Sequence, residues 1–469
     1  MDATKRSSTW VLALTAVASL MVALDALVVT TALSAIRVDL HASIEELEWT
    51  VNAYALSFAV LLMSAAAVGD RFGRRRWFVA GIGLFTAASA ACALAPGVGW
   101  LIVARAVQGA GAALVMPLGL ALLSAAFPPE RRAAALGLFS GVTGLAVLGG
   151  PVVGGAITQG IAWEWIFWLN VPIGLVLAPL ALRRMGESFG PPARLDVPGL
   201  ALVTGGALGL VWGLVRGNAA GWGSAEVLGA LGAGLALVAG FVAWERRAPE
   251  PMLPLGLFRA RAFAAGNAAV FFMFAALFGA VFFMAQFLQT AQGHGPLDAG
   301  VRLLPWTATL FVVAPLAGAR VSRFGERPFI AGGLLLQAVG MTWIALIAEP
   351  SVSYGRLVAP LVLAGAGVSM AMPAAQSAVV GAVAREQIGR ASATFNALRQ
   401  LGGAFGVAIL VAVFAAAGDY ASPQAFADGF APAIGVSAAL SLAGAVAGAA
   451  LPAWRPEAAP APELSAQRV

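Results

Sequence analysis

Apolar runs of about 20 residues recur along almost the whole chain, and they restrict its fold more than any other feature. A helix of that length spans roughly 30 Å, the thickness of the hydrocarbon core of a bilayer. Of the 469 residues, 60% are hydrophobic and 11% are charged, whereas about a quarter of a soluble domain is charged. The sequence therefore predicts an all-α integral membrane protein. The apolar run from Trp10 is also too long for a cleavable signal peptide.

Fourteen segments are predicted to cross the membrane: residues 11–35, 49–68, 77–95, 99–125, 133–158, 165–182, 197–215, 224–244, 263–290, 299–319, 329–347, 357–382, 392–416 and 430–450. With the N-terminus in the cytoplasm, 22 of the 28 Lys and Arg residues lie in cytoplasmic loops and four lie outside. This distribution follows the positive-inside rule. We therefore expect a multi-pass protein of a bacterial cell (inner) membrane, with both termini in the cytoplasm.

Residue counts exclude several kinds of site. The net charge of +6 follows from the topological bias and does not indicate nucleic-acid binding. The sole lysine, Lys5, lies in the N-terminal tail, whereas a Walker phosphate-binding loop needs an interior lysine. Two histidines and one cysteine cannot form a Cys/His metal cluster. We therefore expect no metal site, no cofactor and no catalytic site, so that the protein is not an enzyme.

Asp25 is the one acidic residue that this topology places deep in the membrane, because the other acids, Glu48 among them, fall in loops. A carboxylate at that depth costs a few kcal/mol or more, and such residues usually face a cavity, a partner or a proton path. The alternative is a protonated Asp25 that makes a hydrogen bond between helices.

Arg105 and Arg399 are the two basic residues within predicted spans. Arg105 keeps its charge and needs an acceptor or a water-filled cavity, and Gln108 shares its helix face. The alternative for Arg105 is a side chain that extends to the outer interface. Arg399 lies nearer the cytoplasmic end of its span, where extension to the interface is the favoured interpretation.

An internal repeat divides the chain. GAGAALVMP at 109–117 matches GAGVSMAMP at 365–373, and DRFGRR at 70–75 matches SRFGER at 322–327. Both RFG loops fall on the same side, so the halves repeat in parallel, as in some transporters. The predicted organisation is an N-terminal six-helix bundle (1–184), an inserted helix pair with linkers (185–261), a C-terminal six-helix bundle (262–451) and a disordered cytoplasmic tail (452–469).

Six motifs, in the expected order, resemble those of the major facilitator superfamily, in particular its fourteen-span drug:proton antiporters. They are LDALVVTTAL (24–33), GDRFGRRR (69–76), RAVQGAGAALVMP (105–117), GGPVVGG (149–155), WEWIFWLNVPIG (163–174) and GRASATFNALRQLGGAFGVA (389–408). The resemblance implies the major facilitator fold. It also implies that Asp25 binds the coupling proton and that Arg105 helps to set its proton affinity.

The resemblance also gives roles to two further motifs. The loop with Asp70, Arg71, Gly73, Arg74 and Arg75 would be a cytoplasmic gate that breaks and reforms, although a basic loop that sets topology is an equal alternative. The antiporter helix motif, with Gly150, Pro151, Gly154 and Gly155, would form a bendable or tightly packed helix between the bundles. This second motif favours export over import.

Polar and aromatic residues in the spans are candidates for a substrate cavity, which typically combines apolar walls with a few polar groups. The candidates are Asn52, Gln108, Met116, Phe282, Gln286, Gln289, Gln376 and Asn396. Each of the polar ones could instead form a hydrogen bond between helices.

The predicted function is proton-coupled efflux of lipophilic or cationic drugs and antibiotics by alternating access. The expected partners are a small-molecule substrate, protons and the lipid bilayer; the proton gradient drives the cycle, and the protein is expected to act as a monomer. An exporter of an endogenous metabolite or lipid, or a facilitator-type importer, is the alternative. A membrane-embedded enzyme, a receptor and a channel are disfavoured.

Overall fold

A computed structural model describes residues 3–190, 196–384 and 387–453 of the chain. Part of the predicted insert, 191–195, and most of the predicted tail, 454–469, lie outside the described residues. Within the described residues, fourteen helices are long and apolar enough to cross a membrane. They are α1 (Ala3–Asp39), α2 (Ile44–Phe72), α3 (Arg74–Ala93), α4 (Val98–Ala126), α5 (Pro129–Gly160), α6 (Trp165–Arg184), α7 (Val197–Ala220), α8 (Ala225–Glu245), α9 (Arg261–Ala291), α10 (Pro296–Val321), α11 (Glu326–Leu346), α12 (Tyr354–Gly381), α13 (Ile388–Ala417) and α14 (Pro423–Ala449).

The helices confirm the fourteen predicted spans, but several begin or end outside the predicted bounds. The second helix begins at Ile44, five residues before the predicted start, because Ser43 and Glu46 form a capping box. The Glu46 backbone N–H donates to the Ser43 hydroxyl at 3.2 Å, and the Ser43 N–H donates to the Glu46 carboxylate at 2.8 Å. The assignment of Glu48 to an outer loop was therefore wrong, since Glu48 lies inside α2 and is fully buried.

The repeated motif makes the same kind of contact in each half of the molecule. Gly109 on α4 lies against the backbone of Tyr54 on α2. Gly365 on α12 lies against the backbone of Trp306 on α10. A side chain at either glycine would collide with backbone atoms that cannot move aside, so these glycines permit close helix packing. The repeat in the sequence is thus a repeat of helix contacts.

The inserted helices α7 and α8 pack on each other, and α7 lies beside the junction of the two halves. Val211 on α7 belongs to a buried cluster with Leu56 on α2 and Ala404 on α13. The insert therefore contacts one helix from each half.

The two halves share a hydrophobic core at one end of the molecule and have separate cores at the other. We call the end with the Arg-rich loops the basic end, which the charge bias assigns to the cytoplasm. At the opposite end, Ile36 and Leu47 of the first half join Phe283 and Phe414 of the second half in one cluster. At the basic end, each half has its own buried cluster. The halves are therefore closed together at the opposite end.

Candidate functional site

A buried ion pair lies inside the N-terminal half. Asp25 on α1 and Arg105 on α4 approach to 2.6 Å between Oδ2 and Nη1, and their side chains are 0% and 1% exposed. Neither side chain faces lipid, and Arg105 does not extend to the interface. Such a pair is stable only if further hydrogen bonds satisfy the remaining donors and acceptors, because both charges have lost their water.

The second oxygen of the Asp25 carboxyl accepts two hydrogen bonds from neutral amides. The Nε2 atom of Gln108 donates to Asp25 Oδ1 at 2.8 Å, and the Nδ2 atom of Asn170 donates to the same oxygen at 2.8 Å. Both amides also donate to the Ser89 hydroxyl, at 2.8 and 3.3 Å. Three helices, α3, α4 and α6, thus supply the polar groups around the carboxyl that α1 carries.

The Arg105 guanidinium is held from several directions. Its Nε donates to the backbone carbonyl of Thr50 at 3.0 Å, and its Nη1 also donates to Gln108 Oε1 at 2.6 Å. The guanidinium carbon lies 4.3 Å from the ring centroid of Tyr54 and 5.7 Å from that of Phe167. The cation is therefore held by hydrogen bonds and by aromatic faces, which attract cations.

Asn170 and Ser89 were missed by sequence reasoning. Asn170 lies within the helical backbone of α6, where the preceding Leu169 has φ −53° and ψ −37°, and its side chain reaches Asp25 from that helix. The available signal was the position of Asn170 within WEWIFWLNVPIG. Ser89 had no comparable signal, since a serine in an apolar helix most often bonds to its own backbone, as Ser89 also does to the Phe85 carbonyl.

Glu48 is a second buried carboxyl, and it differs from Asp25 in its partners. The Nδ2 atom of Asn52, one turn further along α2, donates to Glu48 Oε1 at 2.9 Å. Glu48 Oε2 and Asn52 Oδ1 are buried without a hydrogen-bond partner. The predicted cavity residue Asn52 is therefore paired with Glu48. Among the described residues, no cation is within ion-pair distance of Glu48.

The loop after α2 turns sharply and is closed by local contacts. Gly73 adopts φ = 111°, a backbone conformation that favours glycine. The Nε atom of Arg74 donates to Asp70 Oδ1 at 2.7 Å. The Asp70 backbone carbonyl accepts from the Gly190 N–H at 3.0 Å, so the loop is attached to the segment after α6.

The other gate residues also make contacts within the N-terminal half. The Arg75 N–H donates to Glu187 Oε1 at 2.8 Å, and its guanidinium donates to the Met185 carbonyl at 3.1 Å. Arg71 lies over the ring of its neighbour Phe72, with 5.1 Å from guanidinium to centroid. In this arrangement the described contacts of the loop join α2, α3 and the end of α6. A latch between the halves stays a prediction.

The GGPVVGG segment of α5 is packed between helices of the two halves. Gly150 and Gly154 lie against Leu27 and Val28 of α1, in the first half. Gly155 lies against the backbone of Pro296 on α10, in the second half. The Pro151 carbonyl lies directly against Gly300 of α10. The glycines thus bring the backbones of α1, α5 and α10 close together at the opposite end.

Two of the predicted cavity glutamines lie at or near the junction of the halves. The Nε2 atom of Gln289, on α9, donates to the Thr31 carbonyl of α1 at 3.0 Å. Gln286 is fully buried; its amide donates to the Phe282 carbonyl at 2.8 Å and accepts from the Tyr420 hydroxyl. Phe282 is 1% exposed and belongs to the shared core. These residues close the opposite end in the described arrangement.

The remaining cavity candidates are scattered. Asn396 donates to the Ser392 carbonyl of its own helix at 2.9 Å. Met116 packs against the core of the N-terminal half, and Gln376 is exposed on α12. The structure therefore brings Gln108 to Asp25 but does not bring the candidate set together.

Arg399 lies within α13, and its guanidinium carbon is 5.5 Å from the ring centroid of Phe274 on α9. Its Nε atom is buried without a hydrogen-bond partner, while the residue as a whole keeps some exposure. The guanidinium also lies close enough to Tyr54, across the junction, to interact electrostatically with it. The side chain thus lies among helices rather than along the membrane interface.

A model of the family described as the Major Facilitator Superfamily matches residues 15–407, with a second match over 268–468. The chain belongs to the major facilitator superfamily. It is accordingly a multi-pass membrane transporter.

Curated relatives include three bacterial resistance proteins. The chain is 38% identical over 397 residues to the tetracenomycin C resistance and export protein of Streptomyces glaucescens, covering 84% of this chain and 74% of that one. It is 36% identical to the multidrug resistance protein Stp of Mycobacterium tuberculosis (83% and 73% covered) and 36% identical to the methylenomycin A resistance protein of Streptomyces coelicolor (83% and 82% covered).

Solved structures of similar fold include two peptide transporters. A crystal structure of the peptide transporter POT in complex with sulfate gives a TM-score of 0.67 at 18% identity, covering 92% of this chain and 93% of that chain. An auto-inhibited POT family peptide transporter gives a TM-score of 0.69 at 14% identity, with 94% and 96% covered. At these identities the likeness concerns the fold alone.

Proposed function

We propose that this protein exports lipophilic drugs or antibiotics in exchange for protons, by alternating access. The observation that carries the proposal is the Asp25 carboxyl, buried in an ion pair with Arg105 and hydrogen-bonded by Gln108 and Asn170. A buried carboxyl whose environment consists of donors changes its interactions greatly when it gains a proton. That coupling between proton and structure is what an antiporter needs.

In the proposed cycle, charged Asp25 holds Arg105, and the opposite end stays closed around the shared core. This arrangement is the inward-facing one if the basic end is cytoplasmic, so a compound enters from the cytoplasm or the inner leaflet. Rocking of the halves then opens the opposite end, and a proton binds Asp25 as the compound leaves. Protonation weakens the pair with Arg105, and Asp25 returns its proton to the cytoplasm after the carrier resets.

The direction of transport and the class of substrate are supported by the relatives, which are named for export or resistance to antibiotics. The closed contact of Gly155 with Pro296 also suits an exporter, because it seals the outer end while substrate loads from inside. One proton crossing 100 mV supplies about 2.3 kcal/mol, which is a useful driving force for each exported molecule.

A tolerance screen tests the proposal. An expressing strain is compared with one carrying Asp25→Asn, across a panel of toxic compounds, with and without a proton uncoupler. We expect higher tolerance to some lipophilic compounds with the wild-type protein, lost in the variant and lost on uncoupling. Uptake into inverted but not right-side-out vesicles would establish export; tolerance that survives uncoupling would contradict proton coupling.

A further inference from the structure

We propose that Arg399 binds the negative charge of the transported compound, so that the site selects lipophilic anions, such as aromatic carboxylates, over cations. This inference rests on the proposed function and narrows its substrate class. It departs from the expectation that cationic drugs are substrates.

The first step is the balance of charge near the centre of the molecule. Asp25 is paired with Arg105, which leaves no negative charge on that pair for a second cation. The electrostatic neighbours of Glu48 are Glu45 and Asn52 rather than either arginine. Among the described residues, no carboxylate forms an ion pair with Arg399. One positive charge at this depth therefore has no protein counter-charge.

The second step is access. The Arg399 Nε is buried without a hydrogen-bond partner, but the residue keeps part of its surface accessible. Arg399 lies on α13, with Phe274 of the same half 5.5 Å from its guanidinium carbon and Tyr54 of the other half within range of an electrostatic interaction. The fully buried clusters of the two halves are separate at the basic end, where Ala393 of α13 is a partly buried residue that packs against the first-half cluster. A compound from that side would enter along this junction.

The third step is the shape and chemistry of a fitting compound. A guanidinium offers planar, paired N–H donors that match a carboxylate better than any neutral group. The Phe274 ring lies 5.5 Å from the guanidinium carbon, and other rings of α9 and α13 pair nearby in sequence: Phe274 lies 5.9 Å from Phe278 on α9, and Phe271 lies 6.0 Å from Phe405 on α13. An anionic group on an apolar aromatic body would therefore satisfy the cation and pack against the rings.

The test uses three probes with the full-length protein: 1-pyrenebutyrate, its uncharged methyl ester, and the cation tetraphenylphosphonium as a competitor. Binding is measured by fluorescence anisotropy in detergent, and transport by uptake into inverted vesicles. Arg399→Gln removes the charge, Arg399→Lys keeps it, and Arg390→Gln removes an exposed charge from the same helix as the matched control.

We expect Arg399→Gln to raise the dissociation constant of pyrenebutyrate about 10- to 100-fold, because that is the effect of losing one charge-assisted hydrogen bond. Binding of the methyl ester should change less than about twofold, and Arg399→Lys should retain an intermediate affinity for the anion. Arg390→Gln should match the wild type. Tetraphenylphosphonium should compete poorly with pyrenebutyrate.

Four results would overturn the inference. They are equal loss of anion and ester binding in Arg399→Gln, unchanged anion binding in that variant, wild-type protein that binds the ester or the cation but not the anion, and wild-type protein that binds none of the probes. If the anion binds through Arg399 but no probe enters the vesicles, the inference stands and the proposed export function fails.

Discussion

The two halves of the molecule share a packing scheme but differ in the chemistry of their centres. The offset that aligns GAGAALVMP with GAGVSMAMP places Leu361 at the position of Arg105 and Ala364 at that of Gln108. Both replacements are fully buried. The repeat has therefore kept the glycines that set helix contacts, while only the first half has an ion pair at this position. Helix packing and the buried ion pair are therefore separable in this fold.

Stacked aromatic rings are a prominent part of the packing in the second half. Phe283 stacks on Phe414 with ring centroids 4.8 Å apart, and Phe287 stacks on Phe430 at 4.3 Å. Such contacts depend little on the protonation state of any group. We infer that the first half responds to protons and that the second half follows as a packed body.

The largest effect is expected from Arg105→Leu, which gives the first half the residue found at the matching position of the second. It leaves Asp25 buried without its cation, and breaking one side of a buried pair costs about 3–5 kcal/mol. We expect a large loss of thermal stability in detergent and no efflux. The comparison variant is Arg302→Leu, which breaks the ion pair between Arg302 and Asp298, whose side chain is 46% exposed. We expect this variant to lose less than about 1 kcal/mol of folding stability, because exposed ion pairs contribute little. Equal effects of the two variants would contradict the contrast between the halves.

Gly155→Ala tests the contact through which the halves meet. The added methyl group would collide with the Pro296 backbone, so it should push α5 and α10 apart at the opposite end. We expect the loss of folding stability to be about 1–3 kcal/mol. The measurement is the rate of maleimide labelling of a Val153→Cys reporter, which packs against the shared core in the wild type. Gly160→Ala, where the methyl group meets nothing within 4 Å, is the control and should leave that rate unchanged.

Gln289→Ala removes a hydrogen bond between the halves, and Gln292→Ala removes one within the second half. Gln289 donates to the Thr31 carbonyl at 3.0 Å, and Gln292 donates to the Val352 carbonyl at 2.8 Å. Each loss should cost about 0.5–1.5 kcal/mol. Only Gln289→Ala should speed labelling of the Val153→Cys reporter. Similar rates in both variants would mean that Gln289 does not hold the halves together.

The smallest effect is expected from Glu48→Gln. The Glu48 carboxyl is buried beside Asn52 without a cation, and a glutamine oxygen can accept the same hydrogen bond. Stability should therefore change by no more than about 0.5 kcal/mol, and proton-driven efflux should persist. Loss of proton coupling in Glu48→Gln would show that Glu48, alone or together with Asp25, binds the coupling proton.

The sequence predicted the helices well because a bilayer imposes a length and a polarity that can be counted along the chain. It also predicted that Asp25 and Arg105 need partners, because isolated charges in a membrane are costly. It did not predict Asn170, whose contact with Asp25 depends on how α6 packs against α1. Glu48 was misplaced because the Ser43 capping box extends α2 beyond its apolar run.

The cavity candidates were the weakest prediction, for a physical reason. A helix that is apolar on all sides gives little indication of which face points to its neighbours. Gln376 on α12 is exposed, whereas Gln286 on α9 is fully buried, although both are glutamines in apolar helices. Only the packing of the helices distinguishes them.

The central claim is that Asp25 couples transport to protons, and Asp25→Asn in reconstituted vesicles tests it most directly. The measurement compares uphill uptake of an exported compound driven by a pH gradient with its exchange at equal pH on both sides. We predict that the variant keeps exchange, which shows that it is folded and alternates, but loses uphill uptake. Wild-type uphill uptake by Asp25→Asn would contradict the account.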